Sequence, residues 1–177
     1  MLTLPNWLTV VRILVTPFFA ILLLYRYLGA ALAVFALAAI TDALDGFIAR
    51  SWGQKSDLGM VLDPIADKLL ATTAFVTLTI LEAIPRWLTI IVVSRYLFLV
   101  GGALVLFMFV GKLRTAPSWL GKATTAVQLA TLLATMVLNL WTIGARAPFP
   151  ILLLTAGVTI VSGLDYVLRA ARTLAQG

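Results

Sequence analysis

Long apolar stretches dominate this sequence and restrict what it can fold into. Six of them are about 20 residues long, the length that an α-helix needs to cross a hydrocarbon core of about 30 Å. They lie at roughly 9–28, 30–49, 65–83, 87–110, 122–142 and 149–168. Of the 177 residues, 62% are hydrophobic and only 11% are charged, so little chain is left for an extramembrane domain. The sequence predicts an all-α, polytopic membrane protein, a single domain over 1–177 built as a bundle of six transmembrane helices.

Basic residues are distributed unevenly between the two ends of the predicted spans. With six spans, the N-terminus, the loops after spans two and four, and the C-terminus lie on one side, which carries nine of the 13 basic residues. The nine are Arg12, Arg50, Lys55, Lys68, Lys112, Arg114, Lys122, Arg169 and Arg172. The positive-inside rule makes this side, with both termini, cytoplasmic. Topology and anionic lipid headgroups therefore explain the net charge of +6, and we expect no nucleic-acid partner.

Acidic residues are scarce and concentrated in one region. Five of the seven lie between the end of span two and the start of span three, at Asp42, Asp45, Asp57, Asp63 and Asp67. A carboxylate at a helix centre in the membrane costs about 2.5–3.5 kcal/mol, so a cluster near the bilayer needs a cationic partner. The spacings i, i+3 and i, i+4 place each pair, Asp42 with Asp45 and Asp63 with Asp67, on one face of its own helix.

The four paired aspartates predict a site for divalent metal ions. The chain contains no His and no Cys, and an all-oxygen ligand set selects hard cations such as Mg²⁺ or Mn²⁺. Four carboxylates can hold two ions, an arrangement that clamps the attacking and leaving oxygens in a displacement at phosphorus. Asp63 followed by Pro64 also allows a simpler interpretation, a helix N-cap with proline at the first helical position.

The residues around these aspartates complete a longer pattern. The string D-A-L-D-G-F-I-A-R is followed by eight residues and then by G-M-V-L-D-P-I-A-D. It resembles the signature of the CDP-alcohol phosphotransferase family, D-x-x-D-G-x-x-A-R-x8-G-x-x-x-D-x-x-x-D. All of its fixed positions are present, at Asp42, Asp45, Gly46, Ala49, Arg50, Gly59, Asp63 and Asp67. The segment from Pro5 to Arg12 resembles the amphipathic N-terminal entry of phosphatidylglycerolphosphate and cardiolipin synthases. The segments from Asp63 to Lys68 and from Trp119 to Gln128 also resemble segments of these synthases.

The resemblance implies a membrane enzyme, usually a homodimer, in which an acceptor hydroxyl attacks the lipid-linked phosphorus of CDP-diacylglycerol and displaces CMP. It implies that the four paired aspartates hold two Mg²⁺ or Mn²⁺ ions and that Asp67 is also the general base. The residues implied to bind CDP are Asp45, Gly46, Ala49, Arg50 and Gly59.

The acceptor alcohol is predicted from fewer residues. Arg95 lies deep in span four, where a charge calls for a function or a partner. Arg114 and Lys122 lie on the predicted active side, and all three could bind an anionic acceptor. Tyr96 departs from the acidic residue that related synthases carry after this arginine, and Ala103 stands where a second arginine would fall. We rank glycerol 3-phosphate ahead of phosphatidylglycerol, with inositol phosphate or serine behind.

Two other classes of membrane protein compete with an enzyme. An ion-coupled transporter also carries intramembrane carboxylates, but inverted repeats would place matching polar segments in both halves, and the aspartate cluster occurs once. A structural protein would pack through Gly, Ala and Ser rather than through four carboxylates. The sequence therefore favours the enzyme.

Overall fold

The computed structural model describes the backbone of residues 4–52, 57–110 and 119–175, and the side chains of residues 10–41, 68–101 and 119–169. Over these ranges the chain forms six α-helices and no strand. They are α1 (Leu4–Leu24), α2 (Leu28–Trp52), α3 (Asp57–Ile80), α4 (Arg86–Val110), α5 (Trp119–Trp141) and α6 (Phe149–Ala175). Each predicted apolar stretch overlaps one helix, so the all-α prediction is confirmed.

Two of the helices are long and apolar enough to cross a membrane within the described residues. These are α5 over its whole length and Phe149–Arg169 of α6. The shorter apolar stretches Val10–Leu24, Leu28–Thr41 and Lys68–Ile80 belong to α1, α2 and α3. The model thus supports two candidate spans, and a bundle of six spans stays a prediction.

Two helices, α1 and α3, begin at least five residues before the apolar stretches that predicted them. The predicted third span starts near 65, whereas α3 begins at Asp57. Asp63 and Pro64 therefore lie inside the helix, and the N-cap interpretation of Asp63 is wrong. Proline is tolerated inside membrane helices because neighbouring groups satisfy the carbonyl that it frees. Similarly, α1 begins at Leu4, so the predicted N-terminal segment from Pro5 to Arg12 is continuous with the first helix.

The chain divides into two compact units, and the first has an apolar core. It comprises Met1–Ala83 and Thr135–Arg146, in which α1 packs against both α2 and α3. Large side chains from these three helices are fully buried at its centre, including Phe19, Phe35, Phe75 and Leu78. The rings of Phe19 and Phe35 pack with their centroids 5.5 Å apart, which joins α1 to α2.

Tight turns connect the helices at one end of this unit. Arg26, between α1 and α2, has φ 61°, and Glu82, after α3, has φ 58°. Both residues adopt a left-handed conformation that costs a residue with a Cβ about 1–2 kcal/mol. After α5, Asn139 fixes the turn with its side chain: Nδ2 donates to the Ala145 carbonyl at 2.8 Å, and Oδ1 accepts from the Gly144 amide at 3.2 Å.

The second unit, Ile84–Ala134 and Ala147–Gly177, buries polar side chains beside apolar ones such as Leu88 and Leu132. α4 packs against α6, and α5 is joined to α6 by hydrogen bonds between buried side chains. Thr131 and Thr155 share one of these at 2.7 Å, and Thr124 donates to the Val158 carbonyl at 3.3 Å. Other apolar residues point outward, including Leu97, Phe98, Leu153, Leu154, Ile160, Val161, Leu164 and Leu168. Polar groups inside and apolar groups outside suit a lipid environment.

Candidate active site

The two aspartate pairs lie on two helices of the first unit. Asp42 and Asp45 fall within α2, and Asp63 and Asp67 fall within the first half of α3. One helical turn separates the members of each pair, so each pair shares a helix face, as the spacing predicted. α1 packs against both of these helices. The structure thus brings the signature onto two helices that share one neighbour.

Side chains of the predicted metal and CDP sites fall outside the described residues. This applies to every side chain from 42 to 67, which includes Gly46, Ala49, Arg50 and Gly59, and also to Arg114. Among the side chains that are described, no group of three or more acidic residues could hold a metal ion. The fit to a metal therefore rests on the chemistry of the four aspartates: carboxylate oxygens carried by two helices, the ligand type that Mg²⁺ and Mn²⁺ prefer. On that criterion the residues fit.

Arg95 is the predicted acceptor residue that the structure describes in most detail. It lies in α4 with 6% of its surface exposed, and its Nη2 donates to Ser162 Oγ on α6 at 3.1 Å. Its Nε and Nη1 are buried and have no hydrogen-bond partner among the described residues. A buried donor without a partner costs about 1–3 kcal/mol, and more when it is charged. The guanidinium therefore has capacity to bind an anion.

The acidic residue of α6 in this region is already paired. Arg169 Nε lies 3.0 Å from Asp165 Oδ1 and 2.9 Å from Oδ2, one turn further along α6. Glu82, in the first unit, lies 3.8 Å from Arg146 in an exposed pair. Each of these two acids thus has a basic partner within the part of the chain whose side chains are described.

Lys122 lies in a different setting from Arg95. It is exposed in the first turn of α5, with its Nζ 5.5 Å from the centroid of the Trp119 ring. This is a cation–π contact at a helix end, where an aromatic ring and a lysine are typical of a membrane interface. Lys122 is accessible to an anionic ligand but does not share the buried position of Arg95.

Sequence reasoning did not assign a role to a hydrogen-bonded chain beside Arg95. Tyr96 donates its hydroxyl to Gln128 Oε1 at 2.6 Å, and Gln128 Nε2 donates to Thr159 Oγ1 at 3.0 Å. All three side chains are buried, and they connect α4, α5 and α6. A signal was present in the sequence, because polar residues recur at helical spacing in α5 as Thr124, Gln128 and Thr131.

Comparison with known proteins places the chain in a family. The sequence profile of the CDP-alcohol phosphatidyltransferases matches residues 2–162. The cardiolipin synthase (CMP-forming) of Rattus norvegicus is 39% identical over 76% of this chain and 50% of its own length. The probable phosphatidylglycerophosphate synthase of Mycobacterium tuberculosis is 36% identical over 97% of this chain and 83% of its own length. The CDP-diacylglycerol--glycerol-3-phosphate 3-phosphatidyltransferase of Bacillus subtilis is 33% identical, over 94% of both chains.

The chain thus spans about half the length of the rat cardiolipin synthase, and 83% and 94% of the Mycobacterium and Bacillus relatives. The profile match includes both aspartate pairs, Arg95 and the chain of Tyr96, Gln128 and Thr159. The resemblance carried by the eight-position signature is therefore confirmed, and the protein belongs to the CDP-alcohol phosphatidyltransferase family.

Proposed function

We propose that this chain transfers a phosphatidyl group from CDP-diacylglycerol to an acceptor alcohol and releases CMP. The acceptor oxygen forms a bond to the lipid-linked phosphorus, the bond from that phosphorus to CMP breaks, and the acceptor hydroxyl loses its proton to the enzyme. The observation that carries the proposal is the complete eight-position signature on α2 and α3 of a chain that belongs to this family.

The donor half of the reaction falls to the first unit. Asp42, Asp45, Asp63 and Asp67 hold two Mg²⁺ or Mn²⁺ ions, which supply positive charge to the diphosphate when bound. Asp67 accepts the proton of the acceptor hydroxyl as general base. Asp45, Gly46, Ala49, Arg50 and Gly59 bind the CDP group. Arg50 suits phosphate because its guanidinium offers a planar fork of donors.

The acceptor half falls to basic residues that include Arg95. A phosphate oxygen bound there supplies the hydrogen-bond partners that Nε and Nη1 lack among the described residues. Arg114 and Lys122 add positive charge on the same side of the membrane. This assignment is supported by the burial of Arg95 and by the pairing of Asp165 with Arg169 and of Glu82 with Arg146, so that neither acidic side chain that the structure describes pairs with Arg95.

Two acceptors fit this chemistry. Glycerol 3-phosphate stands first, as in the reaction named for the Bacillus relative, and phosphatidylglycerol stands second, the acceptor of a cardiolipin synthase. Each brings a phosphate and a free hydroxyl.

The protein has six spans and works as a homodimer, with the active site and both termini on the cytoplasmic side. Apolar exposed faces and two candidate spans support the membrane location.

The test is product formation by the purified protein in detergent or lipid. With CDP-diacylglycerol and Mg²⁺ or Mn²⁺, we expect CMP release only when an acceptor is supplied. Thin-layer analysis of the lipid made with each acceptor in turn identifies the natural one. A chelator should stop the reaction and Mn²⁺ or Mg²⁺ should restore it. Absence of CMP release with every acceptor would contradict the proposal and favour a transporter.

A further inference from the structure

Three hydrogen bonds of the second unit, together with the backbones of α4 and α6, link Arg95 and Tyr96 through α5 and α6 in what we call the ring. Arg95 donates to Ser162 on α6, and Thr159 lies one turn before Ser162 on the same helix face. Thr159 accepts from Gln128 on α5, and Gln128 accepts from Tyr96, the residue that follows Arg95 on α4. The ring thus starts and ends on neighbouring residues of α4 and passes through α5 and α6.

We infer that Tyr96, Gln128 and Thr159 are positioning residues that hold the Arg95 guanidinium in place for the acceptor phosphate. This inference rests on the proposed acceptor role of Arg95. The Tyr96 hydroxyl fixes the rotation of α4 about its axis, because its partner Gln128 is held in turn by Thr159. Since Arg95 is adjacent in sequence, the same rotation decides where its long side chain points.

The chemistry of Tyr96 supports this role. The tyrosine hydroxyl is neutral, yet it still makes a buried hydrogen bond of 2.6 Å to Gln128. The Tyr96 ring also contacts Arg95 directly, with its centroid 5.8 Å from the guanidinium carbon, and it brings no negative charge to the guanidinium.

Gln128 is suited to be the middle member because its side chain can accept and donate at once. Oε1 accepts from Tyr96 on α4, and Nε2 donates to Thr159 on α6. Its side chain is 1% exposed, so neither bond competes with water. Hydrogen bonds in a lipid-embedded interior hold helices in register where apolar packing alone does not.

A matched control lies on the same interface. Thr131 follows Gln128 on α5 by three residues and shares a hydrogen bond with Thr155 on α6. This bond joins the same two helices as the bond between Gln128 and Thr159, but it does not belong to the ring that contains Arg95. Thr131→Val removes that hydrogen bond at nearly constant shape.

The experiment measures KM for acceptor and for CDP-diacylglycerol in Tyr96→Phe, Gln128→Met, Thr159→Val and Thr131→Val. We expect the first three to raise the acceptor KM by about fivefold to tenfold, with the KM for CDP-diacylglycerol within about twofold of wild type. Thr131→Val should leave both within about twofold. The unchanged donor KM serves as the check that each variant is folded, and Thr159→Val tests the ring if Gln128→Met does not yield folded protein.

A double-mutant cycle asks whether the ring acts through Arg95. In an Arg95→Ala background, Tyr96→Phe should have no further effect on the acceptor KM, because the group that it positions is absent. Equal effects of Tyr96→Phe with and without Arg95 would overturn the inference. The inference is also overturned if Tyr96→Phe and Gln128→Met leave the acceptor KM within about twofold of wild type, as Thr131→Val should, while Arg95→Ala still raises it. That result would leave the proposed acceptor site intact. An unchanged acceptor KM in Arg95→Ala would overturn both.

Discussion

Arg95→Met should make the protein more stable in the absence of acceptor. Arg95 is 6% exposed, its guanidinium donates one hydrogen bond to Ser162, and two of its buried nitrogens have no partner among the described residues. The two unpaired donors cost about 1–3 kcal/mol each, and the charged bond to Ser162 contributes about 1.5–3 kcal/mol. Methionine removes the cost, fills similar space and leaves Ser162 free to bond within its own helix. We expect a net gain of about 1–3 kcal/mol in the free energy of unfolding.

With acceptor bound, wild type should become more stable than Arg95→Met. A ligand that binds only the folded protein stabilises it by about 2.7 kcal/mol when its concentration is 100 times its Kd. Wild type should therefore gain stability with saturating acceptor, whereas Arg95→Met should gain little. The assay is thermal or denaturant unfolding of the detergent-solubilised protein with and without glycerol 3-phosphate or phosphatidylglycerol.

Arg86→Met is the matched control because Arg86 is an exposed arginine in the first turn of the same helix. Arg86→Met should change the free energy of unfolding by no more than about 0.5 kcal/mol. Saturating acceptor should stabilise this variant as much as it stabilises wild type. The reasoning is refuted if Arg95→Met lowers stability in the absence of acceptor. In that case the guanidinium is satisfied by the protein itself, and the argument for an anion at Arg95 fails.

Three other substitutions test separate parts of the molecule. Asp67→Asn should reduce CMP release by at least about 100-fold while nucleotide binding persists, because it removes the general base; full turnover would exclude Asp67 from that role. Arg26→Gly should raise the free energy of unfolding by about 1 kcal/mol, since φ 61° is unstrained for glycine; an unchanged melting temperature would contradict this. Asn139→Ala should lower stability by about 1–3 kcal/mol, because the turn at Gly144 and Ala145 loses its side-chain partner, and a melting curve equal to that of wild type would show that the turn holds without it.

The helices and the aspartate signature could be predicted from the sequence for a simple physical reason. Charged residues are expensive in lipid, so the few that occur mark either span ends or function. Asp42 and Asp67 stand out because apolar residues surround them. The beginning of α3 at Asp57 was not predicted, because hydropathy reports where the chain is apolar and not where its backbone becomes helical.

The ring around Arg95 could not be predicted, although its residues are plain in the sequence. The helical spacing of Thr124, Gln128 and Thr131 indicates which face of α5 is buried, but it does not indicate which side chain of another helix each of them meets. A threonine in such a helix can also satisfy its hydroxyl on its own backbone, as Thr155 does with the Ile151 carbonyl at 2.8 Å. Only the three-dimensional arrangement shows which hydroxyls and amides meet across helices.

The contrast between the two units follows from what drives helices together in lipid. Apolar contacts are little favoured over contacts with acyl chains, so close packing or hydrogen bonds must specify the partner. In the first unit, aromatic side chains pack closely between helices, as Phe19 and Phe35 do. The second adds hydrogen bonds between helices to its apolar packing, and these satisfy nearly every buried polar side chain that the structure describes there. Arg95 is the principal exception, with two nitrogens left over in an interior where hydroxyls and amides have found partners. Keeping Arg95 in this interior therefore costs stability. The cost is explained if, as proposed above, a substrate anion accepts hydrogen bonds from the two remaining nitrogens.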